Sequence, residues 1–192
     1  GTAPGCIIEN GEKVIIMLPG PPSEMRPMLE ETVLPYFRSK SDFKIVSTFV
    51  RIFGIGESAM EDKLIDMIKT QTNPTIAPYA KEGEVTLRVT ARCGKDEDAE
   101  GIMAPVLEEI RRRLGNAVYY MGAKEASMEE VVGQMLIDNN ISISIAESCT
   151  GGLIASNLTS VPEISKVFIS GVVSYSNEAK IKMLGLRSEL LK

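Results

Sequence analysis

Apolar positions along the chain change their period several times, and each change marks an element. Lys13-Val14-Ile15-Ile16-Met17-Leu18 predicts a strand, stopped by Pro19-Gly20-Pro21-Pro22, which cannot continue a ladder. Behind it, Ser23 stands where a helix cap belongs, and Met25, Met28, Leu29 and Val33 recur at helical spacing. That spacing predicts a short helix ending before Pro35, followed by a polar linker at Ser39-Lys40-Ser41-Asp42.

From Phe43 the pattern becomes strand, helix, strand, strand, helix, strand. The first strand is read from Val46 to Phe53. Ser58 with Glu61 has the spacing of a capping box, and Met60, Leu64, Met67 and Ile68 then share one helical face that ends near Gln71. Thr75 to Tyr79 and Glu84 to Arg92 follow as strands, the second alternating Val85, Leu87, Val89 and Ala91 with polar residues, so that one sheet face is buried. A helix from about Glu97 to Leu114 turns Ala99, Ile102, Val106, Ile110 and Leu114 inward, with Pro105 expected to kink or restart it. Arg111-Arg112-Arg113 suit the negative end of its dipole and read as a solvated helix end. Ala117 to Tyr120 is the last strand of a small α+β sandwich whose helices cover one sheet face.

Gly122 to Glu125 reads as a second linker, after which the period changes again. Ser127 and Glu130 form a capping box ahead of Met128, Val131, Val132, Met135 and Leu136. Ile141, Ile143 and Ile145 then alternate with Ser142 and Ser144, and this strand runs through Ala146-Glu147-Ser148-Cys149-Thr150-Gly151-Gly152 into a helix from Leu153 to about Leu158. A strand from Val167 to Tyr175 leads into a helix over 178–184, closed by Gly185. Helices alternating with strands imply a layered α/β domain. The segments divide as 1–40, 43–121 and 125–192.

Composition narrows the chemistry. A chain of 192 residues with 44% hydrophobic and 24% charged residues folds around a real core, as one large domain or two small ones. A net charge of −5 supplies no overall field for polyanions, so no nucleic-acid partner is expected. No apolar run reaches the roughly 20 residues of a membrane span. Gly1-Thr2-Ala3-Pro4-Gly5 is no signal peptide, and a cytoplasmic protein is expected. The missing initial Met and the ending at Lys192, directly behind an apparently helical Ser188-Glu189-Leu190-Leu191, point to a piece of something longer. Cys6, Cys93 and Cys149 are an odd number without a CxxC pair. With no histidine in the chain, any serine nucleophile needs another base.

Ser148 is the candidate nucleophile. It stands where a buried strand turns sharply into a helix with two glycines behind it, a geometry that lifts a hydroxyl out of the sheet and turns N–H groups of the new helix toward a developing oxyanion. The same helix start would also attract a phosphate. The base is then a lysine held neutral by its surroundings, or a tyrosine helped by one, and Tyr175 and Lys180 stand at the end of the next strand and the start of its helix. The alternative is a capping serine in a tight turn, with Tyr175 and Lys180 on the surface. Cys149, lacking a histidine partner, reads as a small buried residue.

Residues 146–152, together with Gly171-Val172-Val173-Ser174-Tyr175-Ser176-Asn177 and Lys180, resemble the signature segments of the carboxyl-terminal domain of the CinA family. The resemblance implies nicotinamide mononucleotide deamidation: Ser148 as nucleophile, activated by Tyr175 and Lys180, with Thr150, Gly151, Gly152 and Ser176 around the oxyanion and substrate. It implies neither a metal nor an organic cofactor for deamidation. Gly1-Thr2-Ala3-Pro4-Gly5 and the segment from Leu18 to Met25 resemble the end of the family's amino-terminal domain, which is similar to molybdopterin-binding proteins and linked to ADP-ribose pyrophosphatase activity. That implies a secondary nucleotide site at Gly1, Thr2, Gly20 and Pro21, with a divalent metal for that domain alone. The middle segment is similar to a KH-type domain, although Gly54-Ile55-Gly56-Glu57 carries an acid where such a domain clamps phosphates and so reads as scaffold. The fold class expected is therefore a KH-like α+β sandwich followed by a partial layered α/β domain. The expected partner is a small pyridine nucleotide, and unfinished sheets at both ends favour homo-oligomers.

Overall fold

The computed structural model describes residues 3–81 and 83–191 and is a mixed α/β structure that divides into two compact units, Gly1–Met121 and Gly122–Lys192. The first opens with an antiparallel hairpin of β1 (Cys6–Asn10) and β2 (Lys13–Met17). Asn10 pairs with Lys13 across the Gly11-Glu12 turn, where Gly11 takes a φ of 60° that other residues resist. Helix α1 (Pro22–Met28) starts from Pro21, whose carbonyl accepts the amides of Glu24 and Met25; Ser23 lies inside it and caps nothing. The chain does not stop before Pro35. A π turn, Leu29–Val33, in which the Leu34 amide reaches back to the Leu29 carbonyl, joins α1 to α2 (Leu34–Lys40) and places Pro35 in a first turn, where a missing N–H costs little. The linker shrinks to Ser41 and Asp42.

The four-stranded sheet has the order β4-β5-β3-β6, built from β3 (Phe43–Phe53), β4 (Thr75–Lys81), β5 (Glu84–Gly94) and β6 (Val118–Gly122). Helices α3 (Glu57–Thr70) and α4 (Ala99–Leu114) complete a split β-α-β pattern. Strand β3 pairs antiparallel with β5 in register from Phe43↔Gly94 to Phe53↔Glu84, so Val50, Ile52, Val85, Leu87, Val89 and Ala91 share one face. That face carries the core with Met60, Leu64, Met103 and Ile110 from the helices. Met103 was not among the expected inward positions of α4; Ile102 and Val106, which were, are only partly buried. The capping box expected at Ser58 does not form. Gly56 is the cap of α3, its carbonyl taking the Met60 amide, while Ser58 lies within the helix. Helix α4 runs unbroken past Pro105, its buried face outweighing the one hydrogen bond proline cannot make. Arg113 is no idle helix end: its guanidinium ties α4 to α3 through Asp66 and the Lys63 carbonyl and also binds Glu109.

In the second unit, Ser127 and Glu130 form the full capping box of α5 (Met128–Asp138). Strands β7 (Ile143–Glu147) and β8 (Phe168–Val173) pair in parallel, with α6 (Leu153–Thr159) between them and α7 (Asn177–Leu184) after them, closed by left-handed Gly185. The core here is small: Val161, Ile164 and Val167, flanked by Leu136, Ile137 and Phe168. Among the described residues no helix is long and apolar enough to cross a membrane.

Candidate active site

Ser148 is the first residue past β7, half-buried, at the point where the chain turns toward α6. Its carbonyl accepts the Gly151 amide at 3.0 Å, closing a tight turn, and Gly151 and Gly152 then take φ values of 60° and 97°. Glycine is favoured there because a side chain at either position would be strained by the positive φ. The turn thus exposes the position after a strand, as nucleophile chemistry demands.

The parallel register brings the rest of the candidate set to the same edge. Glu147 stands opposite Val173, and the Ser174 amide donates to the Glu147 carbonyl at 2.8 Å, so Ser148 and Ser174 leave neighbouring strands side by side. Tyr175 follows at once and is 74% exposed. Ser176 is spent as the cap of α7, its hydroxyl accepting the Ala179 amide at 3.0 Å, and Lys180 is half-buried in that helix's first turn. Among the described residues no hydrogen bond joins Ser148 to Tyr175 or Lys180. Carboxyl ends of parallel strands are where such folds bind ligands.

Glu147 was missed as a site residue. It is 3% exposed, and its carboxylate accepts the amides of Gly152 at 3.1 Å, Ile154 at 3.1 Å and Ala155 at 2.9 Å. Burial pushes this carboxyl up; the Ala155 amide, the Thr150 side chain and the Ile154 and Gly152 amides together outweigh it and hold the group below its ordinary value. The signal was an acid directly before the serine, within reach of the helix start behind the glycines.

Three expectations change in consequence. The start of α6 is filled by Glu147 and is not open to a phosphate. The amides of Gly151 and Gly152 are committed to the Ser148 carbonyl and the Glu147 carboxylate, so the expected oxyanion role does not fall to them, while those of Cys149 and Thr150 have no hydrogen-bond partner among the described residues. Cys149 is exposed, as the second residue past the strand and inside the turn that Ser148 and Gly151 close. Of the secondary nucleotide set, Gly1 and Thr2 lie outside the described residues; Gly20 is exposed, and Pro21 serves as the start of α1.

The family described as "Damage-inducible protein CinA KH domain" matches residues 47–119, and "CinA C-terminal domain" matches residues 125–192. A CinA-like protein of Dictyoglomus turgidum is 54% identical over the whole chain, and a putative competence-damage inducible protein of Acetivibrio thermocellus is 52% identical over the same span. The chain spans 46% of the length of each, about half of the relatives it matches. A solved competence-damaged protein (CinA) superfamily protein from Klebsiella pneumoniae is 36% identical with a TM-score of 0.32, covering 33% of this chain and 39% of that one. With both domain matches in order and relatives at about half identity from end to end, the chain belongs to the CinA family.

Proposed function

We propose that the carboxyl-terminal unit carries the centre of a serine-dependent nicotinamide mononucleotide deamidase, converting the carboxamide to nicotinic acid mononucleotide and ammonia. The observation that carries this reading is the β7–β8 register, which sets Ser148 beside the segment bearing Tyr175 and Lys180. Lys180 takes the Ser148 proton, directly or through the Tyr175 hydroxyl, as the serine oxygen forms a bond to the carboxamide carbon. The amides of Cys149 and Thr150 stabilise the oxyanion, and the same proton passes to the departing nitrogen, which leaves as ammonia. Water then adds to the ester, giving its proton back through Lys180 and restoring the serine. Glu147 touches no reacting atom; it is a positioning residue that fixes the turn through its three amide bonds.

The test is ammonia release from nicotinamide mononucleotide, without added metal, by the protein extended to the full length of its relatives. Turnover is expected in the Ser148-intact protein and a fall of about a thousandfold or more in Ser148→Ala. Normal turnover in Ser148→Ala, or none in the intact protein, would overturn the proposal.

A further inference from the structure

The four-stranded sheet has a second face, and it is unlike the rest of the molecule. The register that puts Val50 and Leu87 into the core puts Phe43, Ile45, Phe49, Arg51 and Phe53 of β3 on the opposite side, with Arg88 and Arg92 of β5 and Tyr79 of β4. The two core helices pack on the other face. Phe43 is 39% exposed, Ile45 65%, Phe53 55% and Tyr79 45%, and Tyr119 reaches the same face through its hydroxyl on Arg51. Phe43, Phe49, Phe53, Tyr79 and Tyr119 are half of the chain's five phenylalanines and five tyrosines.

Cations are interleaved with these rings. The Arg92 guanidinium lies 4.0 Å from the centre of the Phe43 ring, and that of Arg88 lies 5.4 Å from the Tyr79 ring. The carboxylate of Glu84 is neutralised by Arg51, an almost fully buried guanidinium. Two clefts flank Phe43 and Ile45, of about 630 and 750 Å³. They add Arg38, Lys44 and Lys95, while their one carboxylate, Glu97, is occupied by the Gly94 amide at 2.6 Å. In a chain of net charge −5, this face gathers positive charge around flat apolar rings.

We propose that the open sheet face around Phe43 and Tyr79 binds single-stranded nucleic acid, with bases stacked on the aromatic rings and phosphates held by Arg88, Arg92 and the lysines of the neighbouring cleft. Stacking needs exposed flat rings and tolerates any base, and backbone phosphates need interspersed cations; this face supplies both. The sequence-level objection was the absence of an overall positive field, and the charge is here local instead. An acidic or uncharged partner protein would find the arginines but would not require a row of rings alternating with them.

Fluorescence anisotropy of the 192-residue chain with a labelled oligothymidylate tests the assignment. The expected result is salt-sensitive binding, weakened about tenfold by Tyr79→Ala or Phe43→Ala. In Arg92→Ala the log-affinity against log-salt slope falls by about one. Arg112→Ala, which removes an exposed cation on α4, leaves binding unchanged. Circular dichroism establishes that each variant is folded, and Arg88→Ala, at an exposed side chain, stands in for any that is not. Absence of binding at low salt, or binding indifferent to all four face variants, overturns the proposal. So does self-association in sedimentation that these variants abolish without oligonucleotide binding, which would make a second copy the occupant.

Discussion

At the scale of single residues, the carboxylate of Glu147 organises the turn that presents Ser148. A glutamine there keeps the size but replaces one amide-accepting oxygen with a donor facing N–H groups, so Glu147→Gln is expected to lower the thermal midpoint of the second unit by several degrees at neutral pH. The wild-type group titrates below its ordinary value of 4.5, so its contribution is complete above that value and fades as pH falls through the depressed one. Melting curves of both proteins should therefore converge on acidification; a gap that stays constant down to pH 3 would remove the carboxylate from this role. The turn that carries Ser148 was legible because strand alternation and paired glycines mark a strand-to-helix turn in sequence. Glu147 was not read, although an acid directly before the serine was its signal, because the alternation that marks the turn does not show a carboxylate folding back onto amides up to eight residues ahead.

At the scale of elements, most periods were read correctly and most ends were not. The long alternation of β5 and the Ser127 box of α5 needed no tertiary information. Strand β1 was overlooked, although Asn10-Gly11 is turn chemistry, because Cys6-Ile7-Ile8-Glu9-Asn10 offers only two strong strand formers and neither a long apolar run nor an alternation. The helical run through Pro27 and Pro35 depends on a π turn that no period announces. Two element contacts give tests. Asp66 and Glu109 are held at about 2 by the guanidiniums beside them, Arg113 on Asp66 and both Arg112 and Arg113 on Glu109. Depressed carboxyls stabilise above their ordinary range and lose that stabilisation as pH drops toward 2. Carbon-detected titration should find Asp66 returning to near its ordinary 3.8 in Arg113→Ala, and a value still near 2 would disprove the α3–α4 tie.

Gly133 provides the second. It is buried in α5, and a Cβ built there meets the Val161 methyls at 2.9 and 3.0 Å, a stiff branched side chain itself only 6% exposed. Alanine gains about 1 kcal/mol of helix propensity, while overpacking costs about 1–3 kcal/mol. Gly133→Ala is expected to be net destabilising in chemical denaturation, and Gly133→Ala with Val161→Ala to recover part of the loss. A more stable single variant would mean that the contact yields.

At the scale of the whole molecule, the two units are unequally built. The first holds a continuous core over its sheet and both helices, whereas the second rests on Val161, Ile164 and Val167. Its parallel sheet has two strands, and Ile169 at 67% exposure and Leu153 at 59% stand open, although parallel sheets are stable with both faces covered. Native-state hydrogen exchange should show amides of β7 and β8 opening well before those of β3 and β5 in this chain, and slowing in a protein extended to the length of its relatives. Equal protection in the two sheets would contradict this.

The buried Arg51 acts as a gauge of strand alignment. It bonds Thr86 and Tyr119 on the aromatic face and pairs with Glu84, one layer away from Val50 and Leu87. Because side chains alternate, a slip of one residue between β3 and β5 would drive this guanidinium into the hydrocarbon layer without its carboxylate. A misaligned sheet is therefore penalised twice, by an unpaired guanidinium in the hydrocarbon layer and by the loss of Val50 and Ile52 from it.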